Sequence, residues 1–193
     1  MISVKGSVLR TRLALVDELA PGDGRKRVLA RLDESERQAL GSLLASSWYP
    51  FDLGRRLDEA IVGELGGGKV EFFEKLGEAS AEKNLGPGGV HRAFLVPGDP
   101  HAFLAKTPLI YSYYYDQGRR EYERTGEREA VLTTREAETF SRPDCLTVVG
   151  WYRRALEMCG ARSPLVVEEE CRAKGGSVCR YRLSWGSAAR PSR

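Results

Sequence analysis

Leu9, Leu13 and Val16 recur at intervals of three and four residues, Leu40, Leu43 and Leu44 repeat the pattern, and so do Leu53, Leu57, Ala60, Ile61 and Leu65. That period places apolar side chains on one face of a helix. The glycines at 66–68 break the third run. Val70, Phe73, Leu76 and Ala79 then open a further helix that ends near Asn84, and GPGG at 86–89 closes a helical half over 1–90. The triple glycine reads as a connector and not as a phosphate loop, because no strand precedes it and no Lys-Ser/Thr follows it.

From about residue 100 the pattern changes. Asp99-Pro100 marks a helix start, and a dense aromatic group, Phe103, Tyr111, Tyr113, Tyr114 and Tyr115, runs to Gly118 with a kink expected at Pro108. Glu121 to Arg124 and Ala130 to Thr134 read as short strands. Cys145, Val148, Val149, Tyr152 and Leu156 form one stripe of a helix from about Asp144 to Cys159, stopped by Gly160. Leu165 to Cys171 and Val178 to Trp185, joined through Gly175-Gly176, make a terminal hairpin. The expected fold is α+β: a helical N-terminal half packed on a small antiparallel sheet in the C-terminal half over 100–185, in the order strand, strand, helix, strand, strand. One domain covers 1–185, and a flexible tail is expected at 186–193.

Composition narrows the function classes. A chain of 193 residues, 41% of them apolar and 30% charged, buries a core without disulfide staples. The 30 basic and 27 acidic residues are scattered and leave a net charge of +3, so no concentrated basic face for nucleic acid is expected. No apolar run is long enough to span a bilayer, and the N-terminus has no clean hydrophobic core of a signal peptide, so a cytoplasmic protein off the membrane is expected. In that compartment cysteines serve as free thiols or metal ligands more often than as disulfides.

The chain has four cysteines. Cys171 and Cys179 flank the terminal turn, close enough for two metal ligands or for a disulfide across it. A closed zinc site takes four ligands, and Cys145 and Cys159 cannot both contribute, being about 21 Å apart at the rise of an α-helix. Cys145, at the helix start, is favoured as a thiolate by the helix dipole; Cys159 is disfavoured at the other end. The fourth ligand is then Glu168, Glu169 or Glu170. Strict alternation puts Glu169 on the Cys171 face and Glu168 on the opposite one, a choice that only a bulge near the metal would reverse.

The spacing of Cys145, Glu168, Cys171 and Cys179, with Gly150-Trp151 after the first cysteine and a C-x-Y-x-L run from the last, resembles the four-vinyl-reductase domain over roughly residues 100–185. That resemblance selects Glu168 and implies a structural zinc ion. It also places the chain in the ligand-binding fold shared with haem-nitric-oxide-binding domains and Bet3-type transport subunits. The opening VKGSVLRTRLALVDEL resembles the Lys-Gly start of the haem-binding branch. That branch holds haem through a helix histidine and a Tyr-x-Ser-x-Arg motif, which neither Tyr111-Ser112-Tyr113 nor Tyr122-Glu123-Arg124 reproduces.

Without a Ser/His/Asp set, a phosphate loop or a nucleotide fingerprint, no enzyme is expected. The leading expectation is a sensory or regulatory module with an apolar pocket lined by Phe103, Tyr111, Tyr115, Trp151 and Tyr152, clamped by zinc. It would bind a hydrophobic or aromatic small molecule and signal to a partner, as a homodimer. The alternatives are a dimeric interaction scaffold, with YSYYYDQGRREYER as its surface, and, ranked behind zinc, a haem-based gas sensor that needs His91 or His101 on the pocket wall.

Overall fold

The computed structural model of the chain describes residues 2–186. Residues 187–193, nearly all of the expected tail, lie outside the described residues. The fold is α+β with its helices mostly in the N-terminal half. β1 (Ser3–Lys5) leads into α1 (Gly6–Leu19), followed by α2 (Gly24–Ala30), α3 (Glu34–Gly41), β2 (Trp48–Pro50), α4 (Phe51–Glu64) and α5 (Phe72–Leu85). β1 and β2 pair antiparallel, Val4 opposite Tyr49, as a ribbon too short to show alternation in sequence. The expected helix through Leu43 and Leu44 stops earlier: α3 ends at Gly41, and Leu44 is 64% exposed in the connector.

In the C-terminal half the single kinked helix resolves into two, α6 (Pro100–Leu104) and α7 (Thr107–Tyr114). Pro108 sits in the first turn of α7, where its missing N–H has no intrahelical partner to lose, so it starts a helix instead of bending one. β3 (Arg119–Arg124), β4 (Glu129–Arg135), α8 (Arg142–Met158), β5 (Arg162–Glu170) and β6 (Cys179–Gly186) complete the chain. The four strands form one antiparallel sheet in the order β3-β4-β6-β5.

Two apolar clusters follow the two halves. Leu9, Val16, Leu57, Ile61, Phe73 and Leu76 fill the first, and Phe103, Leu132, Leu156, Tyr181 and Leu183 the second. α5 and α8 join them, crossing at glycine contacts. A Cβ on Gly77 would lie 2.3 Å from the Thr147 carbonyl oxygen, and one on Gly150 would lie 1.8 Å from that of Glu74. Only residues without side chains allow this approach. Arg153 reaches from α8 to Glu74 and Glu78 on α5, at 3.1 and 2.7 Å, and ties the flank of the crossing.

Candidate functional site

Two groups of unusual side chains meet around α8. The first is a cluster of sulphurs. The Sγ atoms of Cys145, Cys171 and Cys179 all lie within 4.8 Å of one another, and those of Cys145 and Cys179 are 3.9 Å apart. All three residues are buried and none forms a disulfide. Ser141 caps α8 by accepting a hydrogen bond from the Asp144 amide at 3.2 Å, which fixes the first turn that carries Cys145. The turn after β5 brings Cys171 and Cys179 to it from the sheet side. Cys159 takes no part: it caps the far end of α8, fully buried, and burial pushes its thiol up to about 11.

Glu168 stands beside these sulphurs, and the reason is a register shift in β5. Glu168 faces Tyr181 while Glu170 faces Arg180, so the intervening Glu169 is extruded and pairs outward with Arg182 at 2.5 Å. The Glu168 carboxylate is buried. Its Oε2 accepts from Arg142 Nη1 at 2.6 Å and Lys174 Nζ at 3.1 Å, whereas Oε1 is buried with no partner. Arg142 Nη1 also lies 3.4 Å from Cys171 Sγ, and the Arg172 amide donates to Cys179 Sγ at 3.4 Å. The hydrogen bond from Cys145, helped by Arg142, lowers the Cys171 thiol to about 6, and a second bond from Cys145 lowers Cys179. Cys145 itself is raised, because it donates to both neighbours and is buried. The shifts therefore run against the thiolate expected at the helix start and favour thiolate character on the hairpin cysteines. The Cys145 amide is already bound to the Ser141 carbonyl at 3.0 Å, one turn back, which removes the free N–H that the helix-dipole argument relied on. Chemically this is a soft donor set of three sulphurs, with the Glu168 carboxylate and its cations Arg142 and Lys174 beside it.

The second group lines a cleft of about 80 Å³ between the two halves. Tyr111 and Tyr114 come from α7 and Tyr115 from just past its end, Trp151 and Tyr152 from α8, Arg12 from α1, Arg120 from β3, and Asp144 from the start of α8. Of the pocket residues expected from sequence, Tyr111, Tyr115, Trp151 and Tyr152 line this cleft. Phe103 does not: it is fully buried in the second core, stacked on Trp151 at 6.1 Å. Arg12, Arg120, Asp144 and Tyr114 were not anticipated. Arg12 bonds Asp58 at 3.1 Å and Thr147 Oγ1 at 2.8 Å and lies 3.7 Å from Asp144, whose carboxylate accepts from the Tyr115 hydroxyl at 2.9 Å. Desolvation pulls the Arg12 pKa down, but Asp58 and Asp144 outweigh it. Burial raises both carboxyls, Asp58 to about 7.

Neither histidine is on the cleft wall. His101 is committed through both nitrogens, Nδ1 to the Tyr122 hydroxyl and Nε2 to the Glu127 carbonyl, each at 2.8 Å. His91 is 3% exposed in a cage of Phe94, Tyr113 and Tyr114, with ring centroids at 5.0 to 5.5 Å. Its Nε2 is buried without a partner, and burial lowers its pKa, which keeps the imidazole neutral. Tyr114 separates it from the cleft.

This architecture, a helical half and an antiparallel sheet gripping an aromatic cleft, is the H-NOX fold. An Fe(II) unliganded H-NOX protein of K. algicida matches over 97% of this chain and 100% of its own, with a TM-score of 0.70 and 13% identity. A mutant H-NOX of T. tengcongensis matches over 96% and 100%, at 0.70 and 13%. A structure titled for the function of heme distortion in the H-NOX family matches over 98% of both chains, at 0.71 and 12%. At such identity the fold alone is shared. The family model described as protein of unknown function (DUF2378) matches residues 49–186, and the chain belongs to that family. The comparisons do not show the four-vinyl-reductase family itself, but they bear out the ligand-binding fold that the resemblance implied. No curated protein matches the chain in sequence. Among the described residues no helix is long and apolar enough to cross a membrane. The comparisons also correct the expected cofactor: zinc was ranked first and haem behind it, whereas the solved structures that this chain resembles include H-NOX proteins, some titled for their heme.

Proposed function

We propose that the chain is a non-catalytic sensor module that takes a flat, apolar ligand in the aromatic cleft, with haem as the first ligand class to test. The observation that carries this reading is the cleft itself: four tyrosines and a tryptophan on α7, the residue after it and α8, at the junction of the two halves of an H-NOX fold. Haem would supply an iron able to bind a diatomic gas. His91 fits the donor role, as a neutral, buried imidazole with an unpartnered Nε2. The cleft volume does not fit the macrocycle in this conformation: about 80 Å³ falls short of the roughly 300 Å³ at which small-molecule sites begin. Tyr114, the ring between His91 and the cleft, is the side chain whose displacement would both widen it and expose the donor. Binding by this route is a change of population towards an open form.

The test is titration of hemin into the wild-type protein and into His91→Phe, with the Soret band as readout. A shifted, saturable band at one equivalent in the wild type, altered in the variant, is expected. No band shift in the wild type overturns the haem reading.

The sulphur cluster supports a second element of the proposal. The three cysteine sulphurs lie close enough together to hold one soft divalent metal ion, and the buried, unpartnered Oε1 of Glu168 is the fourth donor we propose, which would close the site to further ligands. Such an ion would be structural, fixing the terminal hairpin to the start of α8, the helix that forms one wall of the cleft.

A further inference from the structure

Arg12 and Arg120 both line the cleft, and only one of them has its counter-charge. Arg12 is held by Asp58 and Asp144. Arg120 has no carboxylate within ion-pair distance among the described residues. Its Nε donates to Thr134 Oγ1 and its Nη1 to the Tyr152 hydroxyl, both at 3.1 Å, while Nη2 makes no hydrogen bond. Its guanidinium carbon lies 5.0 Å from the centre of the Tyr111 ring and 5.5 Å from that of Tyr152. Asp144, the acid of the same wall, is already engaged by Arg12 and by the Tyr115 hydroxyl. Both aspartates of this network, Asp58 and Asp144, are taken up by Arg12, and neither pairs with Arg120.

A guanidinium drawn partly out of water without an anion is costly, and proteins pair such groups. Its planar fork matches a carboxylate, and here Nη2 and the second N–H of Nη1 remain to form that pair. The rings on either side supply faces for a flat apolar body. Resting on the reading of this cleft as the ligand site, we infer that Arg120 is an anion-recognition residue and that the ligand is a flat, apolar molecule carrying a carboxylate. A free aromatic acid and a macrocycle with carboxylate arms share that chemistry.

Two matched pairs separate the sources: 2-naphthoate with 2-naphthamide, and hemin with its dimethyl ester. Binding is followed by ligand-observed NMR for the first pair and by absorbance for the second. In the wild type the acid of one pair should bind about tenfold more tightly than its neutral partner, the scale of one charge-assisted hydrogen bond. Discrimination in the naphthoate pair assigns a free acid, and discrimination confined to the hemin pair assigns the macrocycle. Arg120→Gln should erase the preference while the neutral partner binds as before, and Arg120→Lys should restore part of it. Equal binding of acid and neutral partner in the wild type, or a preference that survives Arg120→Gln, overturns the assignment to Arg120 and leaves the cleft standing. If no member of either pair binds the wild type, the cleft reading itself fails.

Discussion

α8 carries both candidate regions, and they are built on opposite principles. Cys145 turns towards the sulphur cluster; Asp144, Thr147, Val148, Trp151 and Tyr152 turn towards the cleft. The cluster is small, buried and made of donors that have few uses other than bonding to one another or to a metal. The cleft is made of residues that could equally be core, and its polar groups are arranged in a chain from Asp58 through Arg12 and Asp144 to the Tyr115 hydroxyl. The contrast suggests a division of labour: one region holds the helix still and the other leaves space beside it. Changes confined to one region should therefore spare the other.

The largest expected effect falls on the cluster. Cys171→Ser should remove the bound metal, from about one equivalent to below about a fifth, and lower stability by about 3 kcal/mol or more, because binding at such a site is coupled to folding of the segment that supplies its ligands. Cys159→Ser, at the other end of α8, should keep the full metal content. Elemental analysis of protein purified without chelator and denaturant melts provide the two measurements. Wild-type protein without metal would reduce the cluster to packed thiols, and metal loss in the Cys159 variant would show that the ligand set is misassigned.

Next is the cleft. Arg12→Met keeps the side-chain stem but leaves Asp58 and Asp144 buried without their cation, a change that costs about 3 kcal/mol when one partner of a buried pair is removed. Metal content should stay at the wild-type level. If the metal is lost as well, the first turn of α8 is held by the Arg12 network and not by the sulphurs, and the two regions act as one.

The two regions also differed in how far they could be read from sequence. Most of the helices, the order of strands and helix in the C-terminal half and the α+β class follow from periodicity and glycine punctuation, because those signals are local; α2 and the β1–β2 ribbon were too short to show. The cysteines announced themselves by type, and the one uncertain donor, Glu168 or Glu169, depended on a bulge that strict alternation cannot see but that the register shift in β5 supplies. Arg12 and Asp58 were legible in principle. Each lies on the apolar stripe of its helix, Arg12 between Leu9 and Val16 and Asp58 between Leu57 and Ile61, where a charge must find a partner. The partner, forty-six residues away, was not legible. Arg120 carries no such signal, since an arginine in a short strand rich in arginine and glutamate looks solvated. Phe103 shows the converse: an aromatic at helical spacing that proved to be plain core.

The smallest effect concerns protons in the cleft. Burial raises the Asp58 carboxyl from 3.8 to about 7, with Asp144 adding to the rise and Arg12 opposing it. An acid whose pKa is higher in the fold than in the unfolded chain keeps its proton longer in the native state, so between those two values the native state holds more protons. Its contribution to stability is thus greatest below about pH 4, declines as pH rises towards 7 and is flat above. Asp58→Asn has no proton to lose at this site. The stability of the wild type relative to this variant should therefore fall with rising pH over that window, with metal content unaffected. Thermal melts of the two proteins across the range measure the difference. A relative stability that instead climbs with pH would mean that the attraction of Arg12 outweighs burial, that Asp58 is a full anion at neutral pH, and that the cleft has no positive charge left to offer a ligand beyond the one on Arg120.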